Sequence, residues 1–261
     1  WLMEENGLPV SEAGVLHLNR DAVWPDEAAL LAYSDLTSEV LERESAIPEE
    51  AGEMAEIAAQ PDEPGIAPGR HCNSPYECPY KAHCWQDVPR DDLLVLPYLS
   101  EGKEAALRRQ GWHRVPEIGD TSILSGVQQT WVEAIRRGSP WMDAGAIRAW
   151  LEALVYPVHS VDFETISYAL PRWEGMRPYQ RAPFQFSCHT EDTGGNREHS
   201  EYLHLDSSDP RPALASHLLE ATGDTGSIIT WNASFEKGVI RELAAAFPDF
   251  RDGLEALLPR V

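Results

Sequence analysis

Apolar residues recur along this chain in two rhythms, and the change comes near Pro157. Upstream the spacing is helical. Leu30, Leu31, Leu36, Val40 and Leu41 predict a helix starting after the Pro25–Asp26 pair, and a second, acidic helix is expected from Pro48 to Ala59. Between Pro61 and Pro79, Pro, Gly and Cys at short intervals predict an irregular segment held by something other than a backbone ladder. Helical spacing returns in Gly102–Gln110, Thr121–Arg137 and Asp143–Leu154, and in the last of these Ile147, Trp150, Leu151 and Leu154 share one stripe.

Downstream of Pro157 the segments are short. Val158–Phe163, Phe184–Thr190 and Tyr202–Leu205 are rich in β-branched and aromatic residues and are separated by polar turns, which predicts an antiparallel meander. A helix over Pro212–Ala221, a buried strand over Ser227–Trp231 and a helix over Phe235–Phe247 complete the order β-β-β-α-β-α. The expected fold class is α/β, a sheet covered by helices, preceded by a mainly helical, cysteine-containing region. Three regions are expected: an acidic, cysteine-containing stretch over residues 1–90, a helical connector over 91–154, and the sheet domain over 155–261.

Composition narrows the function. With 261 residues, 43% of them hydrophobic, the chain can build a core, and collagen-like, coiled-coil and low-complexity readings fall away. Its 43 Asp and Glu against 21 Lys and Arg leave a net charge of -22, too one-sided to hold nucleic acid by bulk electrostatics. Any phosphate-binding surface must be local. Lys81, Lys103 and Lys237 are the only lysines, a bias that fits a salt-adapted proteome as well as a functional acidic surface. Residues 1–70 hold 16 acidic and 3 basic residues, whereas Asp162–Thr190 holds three of each. No run of eighteen apolar residues and no signal-peptide pattern follows Trp1, so no membrane contact and a cytoplasmic location are expected. A natural region upstream of Trp1 is also expected.

Three constellations carry chemistry. In Val161-Asp162-Phe163-Glu164-Thr165 a period of two puts both carboxylates on one side of a strand, where they repel unless a cation such as Mg2+ or Mn2+ lies between them. An acidic chain also produces such pairs by chance. At Trp231-Asn232-Ala233-Ser234-Phe235-Glu236, Asn232 or Ser234 can cap a helix, with Glu236 a first-turn acid favoured by the dipole. If this strand lies beside the first, Glu236 reaches the same site as Asp162 and Glu164. Two divalent ions about 4 Å apart could then activate water and stabilise a leaving oxygen, with Asp162 bridging. The third constellation is Cys72, Cys78 and Cys84, spaced to wrap zinc, with His71 or His83 completing four ligands, or to hold an iron-sulphur cluster. Cys188 is expected to be an ordinary buried thiol. Arg177 and Arg181 can meet phosphate and Tyr179 or Phe184 a base, although core packing with an ordinary rim explains the same segment.

Through His71–Trp85, Asp162–Thr165, Arg177–Ser187 and Asn232–Glu236, the chain resembles the bacterial family called domain of unknown function 2779. Its C-terminal part is similar to DnaQ-like 3'-5' exonucleases of the ribonuclease H-like superfamily. Their first motif, Asp-x-Glu, matches Asp162 and Glu164, and their Asn-x-x-Phe-Asp motif matches Asn232, Phe235 and Glu236, with Glu in place of Asp. The resemblance implies a ribonuclease H-like mixed sheet flanked by helices and Mg2+- or Mn2+-dependent phosphodiester hydrolysis at Asp162, Glu164 and Glu236. It also implies single-stranded DNA or RNA contacted by Asn232, Arg177, Tyr179 and Arg181. A third motif, with a His or Tyr and a final Asp, is expected beyond Val261. The cysteine segment resembles the tail of RecB-like nucleases that carry a 4Fe-4S cluster, in which one Cys lies upstream of the nuclease core and three follow it. That implies metal at Cys72, Cys78 and Cys84 and an upstream nuclease domain in cis. The alternative expectation is a catalytically inactive ribonuclease H-like module that binds nucleic acid or scaffolds a partner.

Overall fold

A computed structural model describes residues 1–261. In chain order the elements are α1 (Leu2–Glu5), β1 (Gly14–Leu18), β2 (Leu31–Asp35), α2 (Thr37–Glu44), α3 (Ile47–Ala58), α4 (Lys81–Cys84), α5 (Glu101–Arg109), α6 (Gly126–Arg137) and α7 (Ala144–Glu152). They continue as β3 (Val158–Ser167), β4 (Arg181–Glu191), β5 (Arg197–Leu203), α8 (Pro210–Thr222), β6 (Ile228–Ile229), α9 (Ala233–Ala246) and α10 (Arg251–Leu257). Two compact units result. Residues 1–50 and 149–261 form one, and residues 51–148 form the other.

The first unit is built on the expected meander. Strand order is β5-β4-β3-β6, with β3–β4 and β4–β5 antiparallel and β6 parallel to β3. Alternation decides which face is covered. Val161 and Phe163 of β3 and Phe186 and Cys188 of β4 point to one side, where Leu214 and Leu218 of α8 and Val239, Ile240 and Leu243 of α9 bury them. Asp209 starts α8 by accepting the Arg211 backbone N–H at 3.0 Å, with Pro210 at the first helical position. β6 is shorter than expected, two residues paired with His159 and Ser160. A short parallel strand makes few ladder bonds, so its register is held at the preceding corner. There Ser227 N–H donates to the Val155 carbonyl (2.7 Å), Val155 N–H donates to Ser227 Oγ (2.9 Å) and His159 N–H donates to the Ser227 carbonyl (2.8 Å). Arg260 donates to the carbonyls of Thr222, Gly223, Thr225 and Gly226, satisfying acceptors that the end of α8 leaves open.

The N-terminal fifty residues depart from expectation. Instead of a helix beginning after Asp26, a 3-10 turn at Glu27–Ala29 leads into β2, which pairs with β1 as an antiparallel hairpin, and α2 starts only at Thr37. Short polar side chains override the helical spacing. Asp26 accepts the Ala29 N–H (3.2 Å), and Asp35 accepts both the backbone N–H (2.9 Å) and the hydroxyl (2.6 Å) of Thr37, closing each segment as a turn. Between these turns Leu31-Ala32-Tyr33-Ser34-Asp35 alternates as a strand does.

In residues 51–148 the acidic helix α3 and the irregular segment after it stand as expected. The stretch read as a connector carries a core of its own. Leu93, Leu96, Leu99, Leu107, Val115, Ile118, Leu124 and Val132 are buried together. α6 starts at Gly126 rather than Thr121, because Ser125 and Gln128 form a reciprocal capping box. α7 forms where expected, but Ile147, Trp150 and Leu151 of its stripe remain about half exposed.

Two expected outcomes test the β3–β6 corner. Gly226 has φ +94°, and a Cβ there would overlap the Pro157 carbonyl oxygen. Gly226→Ala should therefore cost about 3 kcal/mol, read from the shift of the urea midpoint. His159 is buried, with Nε2 donating to the Thr225 carbonyl (3.1 Å) and Nδ1 facing the Thr190 hydroxyl (3.0 Å). Burial, reinforced by the charge of Arg260, holds its pKa below the ordinary 6.5. The unfolded chain thus binds a proton that the native state does not, and stability is lost as pH falls below about 6.5. His159→Gln should flatten that loss in urea titrations at pH 7.5 and 5.5, chosen to sit about one unit either side of it.

Candidate functional site

The open face of the sheet is polar across three strands. Asp162 and Glu164 project from it while their neighbours Val161 and Phe163 are buried, so the two carboxylates share one face of the strand, as the period of two predicts. Asp162 Oδ1 accepts the Phe163 backbone N–H at 3.1 Å. Register extends the row through Ser187 of β4 to Glu201 of β5, and the adjacent row runs Ser160, His189, His199. The rings of His189 and His199 stack at 4.4 Å, and His199 Nε2 lies 3.1 Å from Ser187 Oγ. Sequence reading passed over these histidines, although the period of two in β4 puts Ser187 and His189 on the same face as Asp162.

Glu236 occupies the first turn of α9. Its parallel neighbour geometry follows from β6, whose Ile229 pairs with Ser160 two residues before Asp162, so α9 begins at the end of the sheet where Asp162 and Glu164 stand. Glu236 is only 2% exposed, and its Oε2 has no hydrogen-bond partner. Thr230 Oγ1, at the exit of β6, is likewise buried and unpartnered. Asn232 sits at the N-cap position, but its side chain does not cap. Its carbonyl accepts from Phe235 and Glu236, and its Oδ1 accepts the Ser234 hydroxyl at 2.7 Å. Trp231 beside it is fully exposed. No three His, Cys, Asp or Glu side chains are gathered as a metal-holding group.

Arg181 is committed elsewhere. Its guanidinium makes a two-pronged contact with Glu242 (2.7 and 3.1 Å to Oε1) and lies 4.9 Å over the Phe235 ring. Phe235, Gly238 and Glu242 share one face of α9, and the missing side chain at Gly238 leaves Arg181 room to cross it. Arg177 remains exposed, with a loose 3.9 Å contact to Asp21, and Tyr179 is half exposed beneath Arg20 at 5.5 Å. Cys188 is a buried thiol whose pKa burial pushes up.

In the second unit Cys72, Cys78 and Cys84 line one cavity of about 700 Å3 with Glu63, His71 and His83. None is in a disulfide. His83 Nε2 lies 3.0 Å from Glu63 Oε2, and this hydrogen bond raises the histidine's pKa. The Cys84 thiol is pushed up by burial and then by Glu63. The Trp85 indole N–H faces the Cys72 thiol and is the chief influence holding its pKa low, but it falls short of full hydrogen-bond geometry and so stands unpartnered. Arg70 Nε, beside the same segment, is also buried without a partner.

The first unit is thus a four-stranded mixed sheet with helices on one face and paired carboxylates on the other. Over residues 159–261, from the second residue of β3 onward, the chain matches the family described as Domain of unknown function (DUF2779). The resemblance drawn through His71–Trp85 lies outside that match. No curated protein and no solved structure matches the chain.

The Arg181–Glu242 pair is partly exposed, so a double-mutant cycle of Arg181→Ala and Glu242→Ala should give a coupling of about 1 kcal/mol or less in urea unfolding.

Proposed function

We propose that this chain carries a divalent-metal-dependent phosphodiester-hydrolysing module of the 3'-5' exonuclease type, acting on single-stranded DNA or RNA. The observation that carries the reading is the placement of Asp162 and Glu164 on the open face of the strand between β4 and β6, with Glu236 brought to the same end of the sheet. The strand order, three antiparallel strands followed by a parallel fourth, supports a ribonuclease H-like sheet. The donor set is all carboxylate oxygen, which suits Mg2+ or Mn2+, and the unpartnered buried oxygen of Glu236 is what a cation would satisfy. Asp162 and Glu164 would hold the metal on the open face and Glu236 would join them only by approaching from the start of α9, since the three are not gathered as they stand; the metal when bound would supply an activated water and stabilise the leaving oxygen. Asn232 would keep the turn before Glu236 in place, and Arg177 and Tyr179 would meet the strand. Arg181 serves α9 instead.

A second metal, a zinc ion with His71 or His83 or a 4Fe-4S cluster, would be held by Cys72, Cys78 and Cys84, which line one cavity. A nuclease domain upstream in cis and a cytoplasmic location complete the proposal.

Asp162→Asn keeps the side chain's shape and removes one of two neighbouring like charges. Manganese affinity by calorimetry should fall about tenfold or more, while the thermal midpoint holds or rises. Metal-dependent loss of nucleotides from a labelled oligonucleotide should vanish with it. Unchanged affinity in Asp162→Asn would remove the carboxylate pair from the proposal. Strand binding with no metal-dependent cleavage would leave the scaffolding alternative.

A further inference from the structure

Two surface segments of the first unit meet beyond the end of β3. Trp24 N–H donates to the Met176 carbonyl (2.8 Å), and Gly175 N–H donates to the Trp24 carbonyl (3.0 Å), so the turn after β1 is tied to the loop between β3 and β4. The tie brings together residues that neither segment could assemble alone. Arg20 lies over the Tyr179 ring at 5.5 Å, and Arg172 lies over the Tyr168 ring at 4.0 Å. Tyr179 N–H donates to the Tyr168 carbonyl (2.8 Å), which makes the two arginine-capped tyrosines neighbours. Arg177 adds a third exposed guanidinium. The acids beside them are Asp21, which faces Arg177 loosely at 3.9 Å, and Glu174.

We propose that Arg20, Arg172 and Arg177, with Tyr168 and Tyr179, form a platform that holds a single nucleic-acid strand before it reaches the carboxylates. The inference rests on the nuclease reading for the kind of chain bound, and it adds Arg20, Arg172 and Tyr168 to the Arg177 and Tyr179 that the reading already uses. Three lines carry it. First, Arg20 and Arg172 sit against aromatic rings rather than carboxylates, which leaves their N–H donors free for phosphate oxygens. In a chain of charge -22 such a cluster is where a polyanion can approach, since screening confines the surrounding acids to about 8–10 Å.

Second, the half-exposed Tyr179 interleaved with arginines suits unpaired bases, which stack on an aromatic face, better than an acidic peptide, which has no use for one. Third, Tyr179 has φ +60°, a backbone conformation that a bulky residue holds only at a cost. Glycine would sit there freely, so the ring is retained against local preference. Tyr168 follows β3 directly and lies four residues beyond Glu164, at most about 13 Å along the strand direction. A strand on the platform therefore leads to the carboxylates.

The test measures binding apart from cleavage. Fluorescein-labelled oligothymidylate and oligouridylate are titrated in EDTA with the 261-residue chain, with Arg20→Gln/Arg172→Gln, with Tyr179→Gly and with Asp162→Asn, at two salt concentrations. The double arginine variant should bind roughly tenfold more weakly, with a salt slope shallower by about 0.7 for each arginine removed. Tyr179→Gly should also lose about tenfold while its thermal midpoint stays level or rises. Equal loss for both oligonucleotides assigns recognition to phosphate and base, and loss for oligouridylate alone assigns it to the ribose hydroxyl. In EDTA Asp162→Asn, which loses a negative charge where the strand is led, should bind no more weakly than the parent.

Parent-like binding in the arginine variant overturns the platform, as does a fall in midpoint that accompanies the Tyr179→Gly loss. So does displacement of the strand by polyglutamate at equal charge, which would make the ligand an acidic peptide. Loss of binding in the platform variants with no metal-dependent cleavage in the parent sinks the nuclease reading and leaves the platform standing. Cleavage that depends on Asp162 with unaltered binding in the platform variants does the reverse.

Discussion

Glu236, the one carboxylate of the candidate site that lies outside the β3–β4–β5 meander, depends on a strand two residues long being held parallel to β3. A two-residue pairing cannot fix its own register by ladder bonds, and a slip of one residue would send every side chain of β6 to the other face. The corner at residues 222–227 supplies what the ladder lacks. Gly226 allows the chain to pass against the Pro157 carbonyl, Ser227 bonds to Val155 in both directions, and Arg260 gathers four carbonyls that would otherwise be unsatisfied. Because β6 leads into α9 after only three residues, this corner also decides where Glu236 stands relative to Asp162.

The two faces of the sheet are settled by the same alternation but to opposite ends. On the covered side, apolar burial makes the stability. On the open side, Asp162, Glu164, Glu201, His189 and His199 stay solvated, which keeps charged groups close together without the cost of burying them. Glu236 breaks this division. Leaving a buried polar atom unpaired costs about 1–3 kcal/mol, so such atoms are rare in a well-folded chain. Four occur: Thr230 and Glu236 bracket the β6–α9 turn, and Arg70 and Trp85 bracket the cysteine segment. Local conflicts of this kind gather where a fold serves something other than its own stability.

How much was legible in the sequence follows from how local each signal is. The meander, the helices α8 and α9 and the shared face of Asp162 and Glu164 rest on the alternation within single segments, and all were readable. The β1–β2 hairpin was not, because Leu30, Leu31, Leu36, Val40 and Leu41 also fit a helix. The decision belongs to Asp26 and Asp35, whose side chains close turns that compete with helical bonds. The Arg181–Glu242 pair is illegible in the sequence for a different reason. Glu242 is sixty-one positions away from Arg181, and the room at Gly238 that admits the arginine is visible only once α9 is packed on the sheet. The stacked histidines needed the register between β4 and β5, which composition does not encode.

Charge shows the same dependence on tertiary structure. Averaged over the chain, the acidic excess argues against a polyanionic ligand, and residues 1–70, with three basic residues among sixteen acids, argue against it most strongly. Yet one of those three, Arg20, is carried by the hairpin to Tyr179, beside Arg172 and Arg177 from a loop that holds a single acid between Tyr168 and Arg181. A potential at a surface point is dominated by charges within a screening length, so what matters is which residues folding places within about 8–10 Å of one another. The backbone tie between Trp24 and Met176 does that placing, and the acidic excess of the chain falls on the rest of its residues, where it repels polyanions.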